Sequence, residues 1–182
     1  QGLVTFSRRQ TVRRRPLDLS VFIAKLGSRL QRVVPAGVEL RVTPASQHIR
    51  VLADASSLEQ VVIHLVMNAC EAMPHGGIVA LETRLVRNAP AGAPEGLPTG
   101  TYVCLSVSDT GVGIDPGLVG QIFEPFFTTK DTASGLGLAV VWGVVKQHGG
   151  RVEVINQPGR GTTFRVYLPA EDRMTLEAVA DN

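Results

Sequence analysis

The stretch from Asp54 to Gly77, DASSLEQVVIHLVMNACEAMPHGG, constrains the fold more than any other part of the chain. Leu58, Val61, Val62, Leu65, Val66, Ala69, Ala72 and Met73 recur at helical spacing and build one broad apolar face. Ser56 with Glu59 three residues on reads as a capping box at the helix start. Pro74 and the Gly76-Gly77 pair stop the helix. A face that wide must be covered by another apolar layer, so the remaining segments have to supply one.

Most of those segments are strand-like. Val38 to Val42, Ile49 to Leu52, Gly77 to Val86 and Thr101 to Ser108 read as strands. Arg151 to Ile155 and Thr162 to Leu168 read as a hairpin turning at Gln157-Pro158-Gly159-Arg160-Gly161. Two further helices are expected, Ser20 to Val34 before Pro35 and Leu136 to Lys146 before Gly149-Gly150. Leu3 to Thr11 is compatible with a short helix, and an Arg-rich link follows it to Pro16. Strands and helices mix without regular β-α-β alternation, which predicts an α/β fold: a two-layer sandwich of a mixed sheet with helices on one face.

The bulk numbers exclude several classes. The 182 residues suit one domain with a real core. A net charge of +2 gives no ground for nucleic acid or an anionic membrane as partner. No apolar run reaches the roughly 18 residues of a membrane span, and no signal peptide is visible. Cys70 and Cys104 lack metal-ligand spacing and read as buried free thiols of a reducing, cytoplasmic-type compartment.

Four pieces carry chemistry. His64, Asn68 and Glu71 lie at i, i+4 and i+7 and share a polar stripe beside the apolar helix face. Asn68 offers an oxygen of the kind Mg²⁺ takes when a nucleotide supplies the other ligands. DTGVGI, Asp109 to Ile114, follows a strand directly. A carboxylate there can accept from an exocyclic amine, and the glycines permit close backbone approach. FEPFFTTK, Phe123 to Lys130, holds half of the chain's six phenylalanines. It reads as a mobile flap, anchored by Phe123, Phe126 and Phe127, that presents Thr128, Thr129 and Lys130 to a polar ligand. SGLGLAVV, from Ser134, is a glycine-rich turn opening a helix, whose N–H groups suit an anion. Each piece alone has an ordinary structural explanation.

In this order and spacing, with the closing GRGTTFRVYLP, the series resembles the catalytic ATP-binding domain of bacterial sensor histidine kinases. That group sits within the wider set containing gyrase B, Hsp90 and MutL. The resemblance covers residues 17–169 and implies the Bergerat ATP-binding fold with ATP beneath a lid. It implies Asn68 as the magnesium ligand and Asp109 as the adenine-reading acid. Gly111, Gly113 and Ile114 would shape the adenine pocket, with Thr162 assisting from the far strand. Thr129, Lys130 and Ser134 would approach the phosphates, which Gly135, Leu136, Gly137 and Leu138 would hold at the helix start. His64 stands where the family usually has Asn, and where the ATP-hydrolysing relatives place a catalytic Glu; it is a candidate to contact phosphate or orient water. Glu71 and Ala133 also depart from the usual residues.

The resemblance implies partners as well. These kinases phosphorylate a histidine on a helical dimerisation domain and pass the phosphoryl group to a response regulator receiver domain. None of His48, His64, His75 and His148 lies in the expected acceptor context. Residues 1–16 are therefore expected to be the tail of an upstream dimerisation domain with its linker, and 170–182 a C-terminal tail. This piece alone is expected to be monomeric and cytoplasmic and the intact protein to be a homodimer, with membrane anchoring of the intact protein left open. An ATP hydrolase of the gyrase or Hsp90 kind and a degenerate binding module are the alternatives.

Overall fold

The computed structural model describes residues 13–87, 97–129 and 134–171. Its centre is a five-stranded sheet in the order β2-β4-β5-β7-β6. These strands are β2 (Val38–Thr43), β4 (Gly77–Val86), β5 (Tyr102–Asp109), β6 (Arg151–Gln157) and β7 (Gly161–Pro169). β2 runs parallel to β4, with Val38 opposite Gly77, and every other pairing is antiparallel. The mixed sheet of the sequence reading is thus present, its parallel step made by the crossover through α2 (Ala55–Glu71).

Alternation along the strands separates two faces. Val79 and Leu81 of β4, Val103, Leu105 and Val107 of β5, and Phe164, Val166 and Leu168 of β7 all enter the main core. They meet Leu58, Val61, Val62, Leu65 and Val66 of α2, and Val141 and Val145 of α3 (Gly137–Gln147). Burying each such side chain stabilises the fold by roughly 2 kcal/mol. The opposite face carries a smaller cluster of Val86, Tyr102, Cys104 and Tyr167. Both cysteines are free and buried, and burial raises each thiol above its usual range.

Three local expectations need correction. The first helix, α1 (Leu19–Leu30), stops before Val34, and Val33 is 62% exposed. Pro35 disfavours helical backbone at the residue before it, so the chain leaves the helix early through turns closed on the Leu30 carbonyl. The cap of α2 is not Ser56 but Asp54, whose carboxylate accepts from the Ser57 amide at 3.0 Å while the Ser56 hydroxyl donates to the same oxygen at 2.5 Å. Glu59 pairs instead with Arg29 of α1 at 2.6 Å. Finally, the end of the Arg-rich stretch forms a strand, β1 (Arg15–Asp18), antiparallel to β3 (Arg50–Ala53). Pro16 is tolerated because this two-stranded ribbon has open edges. The helix considered over Leu3–Thr11 lies outside the described residues.

Buried His148, just past α3, donates from Nδ1 to the Val144 carbonyl at 2.8 Å and accepts from the Asp54 amide through Nε2 at 3.0 Å. It thereby fastens the end of α3 to the start of α2.

Candidate functional site

Between the second half of α2, the loop after β5 and the start of α3 lies a cavity of about 600 Å³, within the range of small-molecule sites. α2 presents His64, Asn68 and Glu71 to it, as their spacing requires, and adds Met67. Ala72, half-buried just past the helix, completes that wall.

Asp109 ends β5 at the cavity's back. Its Oδ1 accepts from the Gly111 amide at 2.8 Å and from the Thr162 amide at 3.2 Å. Burial pushes the carboxyl above the usual carboxylate range, and these two amides pull it partly back. Gly161 has φ +117°, and a Cβ there would overlap the Asp109 carbonyl, so β7 can approach this closely only through glycine. Thr162 beside it is buried and lines the cavity.

The loop after Asp109 is tied on both sides. Thr110 accepts from the Ile78 amide through its hydroxyl at 3.0 Å, and the Val112 amide donates to the Ala72 carbonyl at 3.2 Å. Gly111 packs behind the wall rather than lining the cavity, since a Cβ would sit 2.5 Å from the Ala72 oxygen. Gly113, at φ +75°, and Ile114 do line it. The following chain, Asp115 to Phe127, is a run of turns closed by bonds between residues three apart. It adds Leu118 and Ile122 to the cavity lining.

At the opposite end Phe123 packs at a tilt of 37° against Trp142 of α3 (ring centroids 5.4 Å apart) and meets Phe164 edge-on at 6.4 Å. Phe127 is half-buried and faces the cavity. Phe126 does not join this anchor: it is 71% exposed, at φ +67°. What it contributes is its amide, which donates to the Gly135 carbonyl at 3.0 Å. Thr128, Thr129, Ser134, Gly135, Gly137 and Leu138 all line the cavity. α3 begins at Gly137, one residue later than the sequence pattern suggests, and no side chain caps it. Leu136 occupies the cap position and does not reach the cavity. Lys130 and Ala133 lie outside the described residues.

The donor set fits a hard cation held mainly by its ligand. Among the described residues no group of three His, Cys, Asp or Glu could hold a metal ion by itself. The cavity does offer side-chain oxygens from Asn68, Glu71 and Asp115, and Mg²⁺ needs only one or two from protein when phosphates and water complete its shell. Among the described lining residues there is no Lys or Arg.

Sequence reasoning missed Met67, Val112, Asp115, Leu118, Ile122 and Phe164 as lining residues. The signal for two is present: Leu118 and Ile122 are apolar residues four apart, the spacing of one helical face.

The same arrangement recurs in known proteins. Residues 53–172 match the family described as histidine kinase-, DNA gyrase B- and HSP90-like ATPase. The sensor kinase CckA of Brucella abortus (strain 2308) is 42% identical over 184 residues, an alignment covering 99% of this chain and 19% of that protein. The sensor histidine kinase ZraS of Escherichia coli (strain K12) is 36% identical over 132 residues, 72% of this chain and 26% of that protein. The chain thus spans about a fifth to a quarter of the curated relatives' length. Among solved structures, the mycobacterial sensor histidine kinase MprB superposes with a TM-score of 0.68 at 29% identity, covering 87% of this chain and 98% of that one. The catalytic domain of histidine kinase ThkA gives 0.70 at 26% identity, over 86% and 95%. Full-length ShkA in complex with AMPPNP gives 0.69 at 26% identity, over 86% and 31%. The family match, the relatives and the superposed structures agree: the chain belongs to the histidine kinase-, DNA gyrase B- and HSP90-like ATPase family, as a catalytic ATP-binding domain of the sensor histidine kinase type.

Proposed function

We propose that this domain binds ATP with Mg²⁺ and transfers the γ-phosphoryl group to a histidine on a helical dimerisation domain, in the same or another chain. A response regulator receiver domain would take it next. The observation that carries the reading is Asp109: a half-buried carboxylate at a strand end, with both amide bonds on Oδ1. Oδ2 is then the acceptor we assign to the exocyclic amine of adenine. Gly113, Ile114 and Thr162 shape the base pocket around it, and Gly111 lets the loop pack tightly behind.

At the other end Asn68 would hold the cation, which supplies neutralisation of phosphate charge when bound. The uncapped start of α3 presents N–H groups at Gly135 to Leu138, where a helix dipole favours an anion. Ser134, Thr129 and Lys130 would complete the phosphate contacts. The protein's part in phosphoryl transfer is positioning and charge stabilisation, not a covalent step. His64 is assigned to phosphate or water contact, and the absence of Glu at this position speaks against an ATP hydrolase.

Calorimetric titration with ATP, with and without Mg²⁺, tests the site; mixing the domain with a purified dimerisation domain and radiolabelled ATP tests the transfer. Saturable, magnesium-dependent binding that weakens in Asn68→Ala is expected, together with label on the acceptor histidine. Binding without transfer to any acceptor would favour a binding module, and steady phosphate release without acceptor would favour a hydrolase.

A further inference from the structure

One polar residue beside the cavity has no role in the reading above. Asn156, on β6, uses both ends of its amide on a single residue of the loop after β5. Its Oδ1 accepts from the Ile114 amide at 2.8 Å, and its Nδ2 donates to the Ile114 carbonyl at 2.6 Å. The two residues are 42 apart in sequence. An asparagine side chain that presents donor and acceptor together imitates a neighbouring strand at one position.

Further contacts reinforce the grip. The Gly159 amide, at the turn of the same hairpin, donates to the Val112 carbonyl at 2.7 Å. Between these two ties sits Gly113, at φ +75°, so close to the hairpin that a Cβ would stand 2.9 Å from the Gln157 oxygen and 3.1 Å from Asn156 Oδ1. The β6–β7 hairpin therefore holds Val112 to Ile114 from outside, while the cavity lies on their inner side. Isolated turn segments are the least ordered part of such a wall, and a bidentate side-chain clamp removes that freedom before a ligand arrives.

We propose that Asn156 is a positioning residue for the nucleotide: it touches no ligand but fixes the backbone of Ile114, and so the base-side wall of the cavity, in the binding geometry. This rests on the assignment of the cavity to ATP. It makes the hairpin part of the binding apparatus, and it predicts which end of the ligand senses the loss. Because the clamp acts on the base side, removing it should weaken ATP and ADP by the same factor.

The test is calorimetric titration of this chain with ADP and with ATP plus Mg²⁺, for the wild type, Asn156→Ala, Asn156→Asp and Gln157→Ala. Asn156→Ala should raise Kd about tenfold for both nucleotides, equivalent to about 1.4 kcal/mol, with stoichiometry unchanged. Asn156→Asp keeps shape and acceptor but sets a carboxylate against the Ile114 carbonyl; its Kd should rise at least as far at neutral pH and fall back as acidification restores a donor. Gln157→Ala, whose side chain is exposed on the same hairpin, should bind as the wild type does. A merely structural role would lower the stoichiometry through a misfolded fraction and leave Kd alone; that result, or wild-type Kd in both Asn156 variants, overturns the inference. Failure of the wild type itself to bind would instead overturn the ATP assignment.

Discussion

Two glycine-rich stretches border the cavity, Asp109 to Ile114 and Ser134 to Leu138, and in sequence they look alike. In the fold they differ in how they are held and in what they leave for a ligand. The first is fastened at nearly every residue: to Asp109, Ile78, Ala72, Gly159 and Asn156. Its glycines are there because neighbouring backbone leaves no room for a Cβ. The second is fastened through the Gly135 carbonyl to Phe126 and then opens a helix that no side chain caps. Glycine serves close packing in both, at Gly111 and Gly113 in the first and at Gly135 in the second, but only the second also opens a helix whose N–H groups no side chain caps. A rigid wall suits a flat base of constant shape, whereas donors left for a ligand suit phosphate.

The largest effect that would sharpen this contrast is expected at Asp109. On the proposed assignment of Asp109 to the adenine amine, Asp109→Asn should weaken ATP by at least on the order of a hundredfold in calorimetry, through loss of the charged acceptor. The apo chain should nevertheless melt higher. Burial raises the Asp109 carboxyl in the fold, so its ionised form costs stability once pH exceeds the folded value, and the cost disappears below the unfolded one. Asparagine never ionises; a rise in Tm on the order of 2 °C at pH 7, shrinking toward pH 4, is the expected signature.

Next come the glycines. Gly111→Ala places a methyl 2.5 Å from the Ala72 oxygen and should destabilise the fold by about 2 kcal/mol in denaturant titrations, with affinity for adenosine and ATP falling together. Gly135→Ala strains a residue at φ +66° and drives a methyl to 2.5 Å from the Phe126 carbonyl carbon. It should cost ATP about tenfold yet leave adenosine within about twofold. Equal loss of both ligands in Gly135→Ala would break the proposed division between the two ends.

The smallest effect belongs to a site remote from both stretches. Asp54→Ala should remove about 1 kcal/mol of stability and leave nucleotide affinity unchanged. The Ser56 hydroxyl and the Ser57 amide hold this carboxyl well below its usual range. Its contribution is therefore complete above the unfolded value of about 4 and is lost as pH falls further. Melting curves of variant and wild type should converge in acid.

Much of this architecture was legible in the chain. The apolar face of α2, the bounds of β4 and the hairpin of β6 and β7 follow from local period and turn residues, because each depends on neighbours in sequence. The polar stripe of α2 followed likewise, since a helix fixes which residues share an edge. What escaped depends on partners far away. β1 is a strand only because β3 lies beside it, and nothing in RRPLD announces that. Asp54 outcompetes the Ser56–Glu59 pattern because Glu59 is drawn to Arg29, thirty residues earlier. Phe126 looked like its two neighbours until its backbone turned it outward.

The tie at His148 has a mechanical consequence. The same junction receives the Arg13 amide on Asp54 Oδ2 and the Arg14 guanidinium on the Gln147 carbonyl, so the incoming chain, the start of α2 and the end of α3 share one fulcrum. α2 extends about 25 Å from it, with Asn68 and Glu71 near the far tip. A few degrees of rotation at the fulcrum become a displacement on the order of an ångström at the cavity. Residues 13 and 14 are thereby held at the end of α2 opposite the one that carries Asn68 and Glu71 to the cavity.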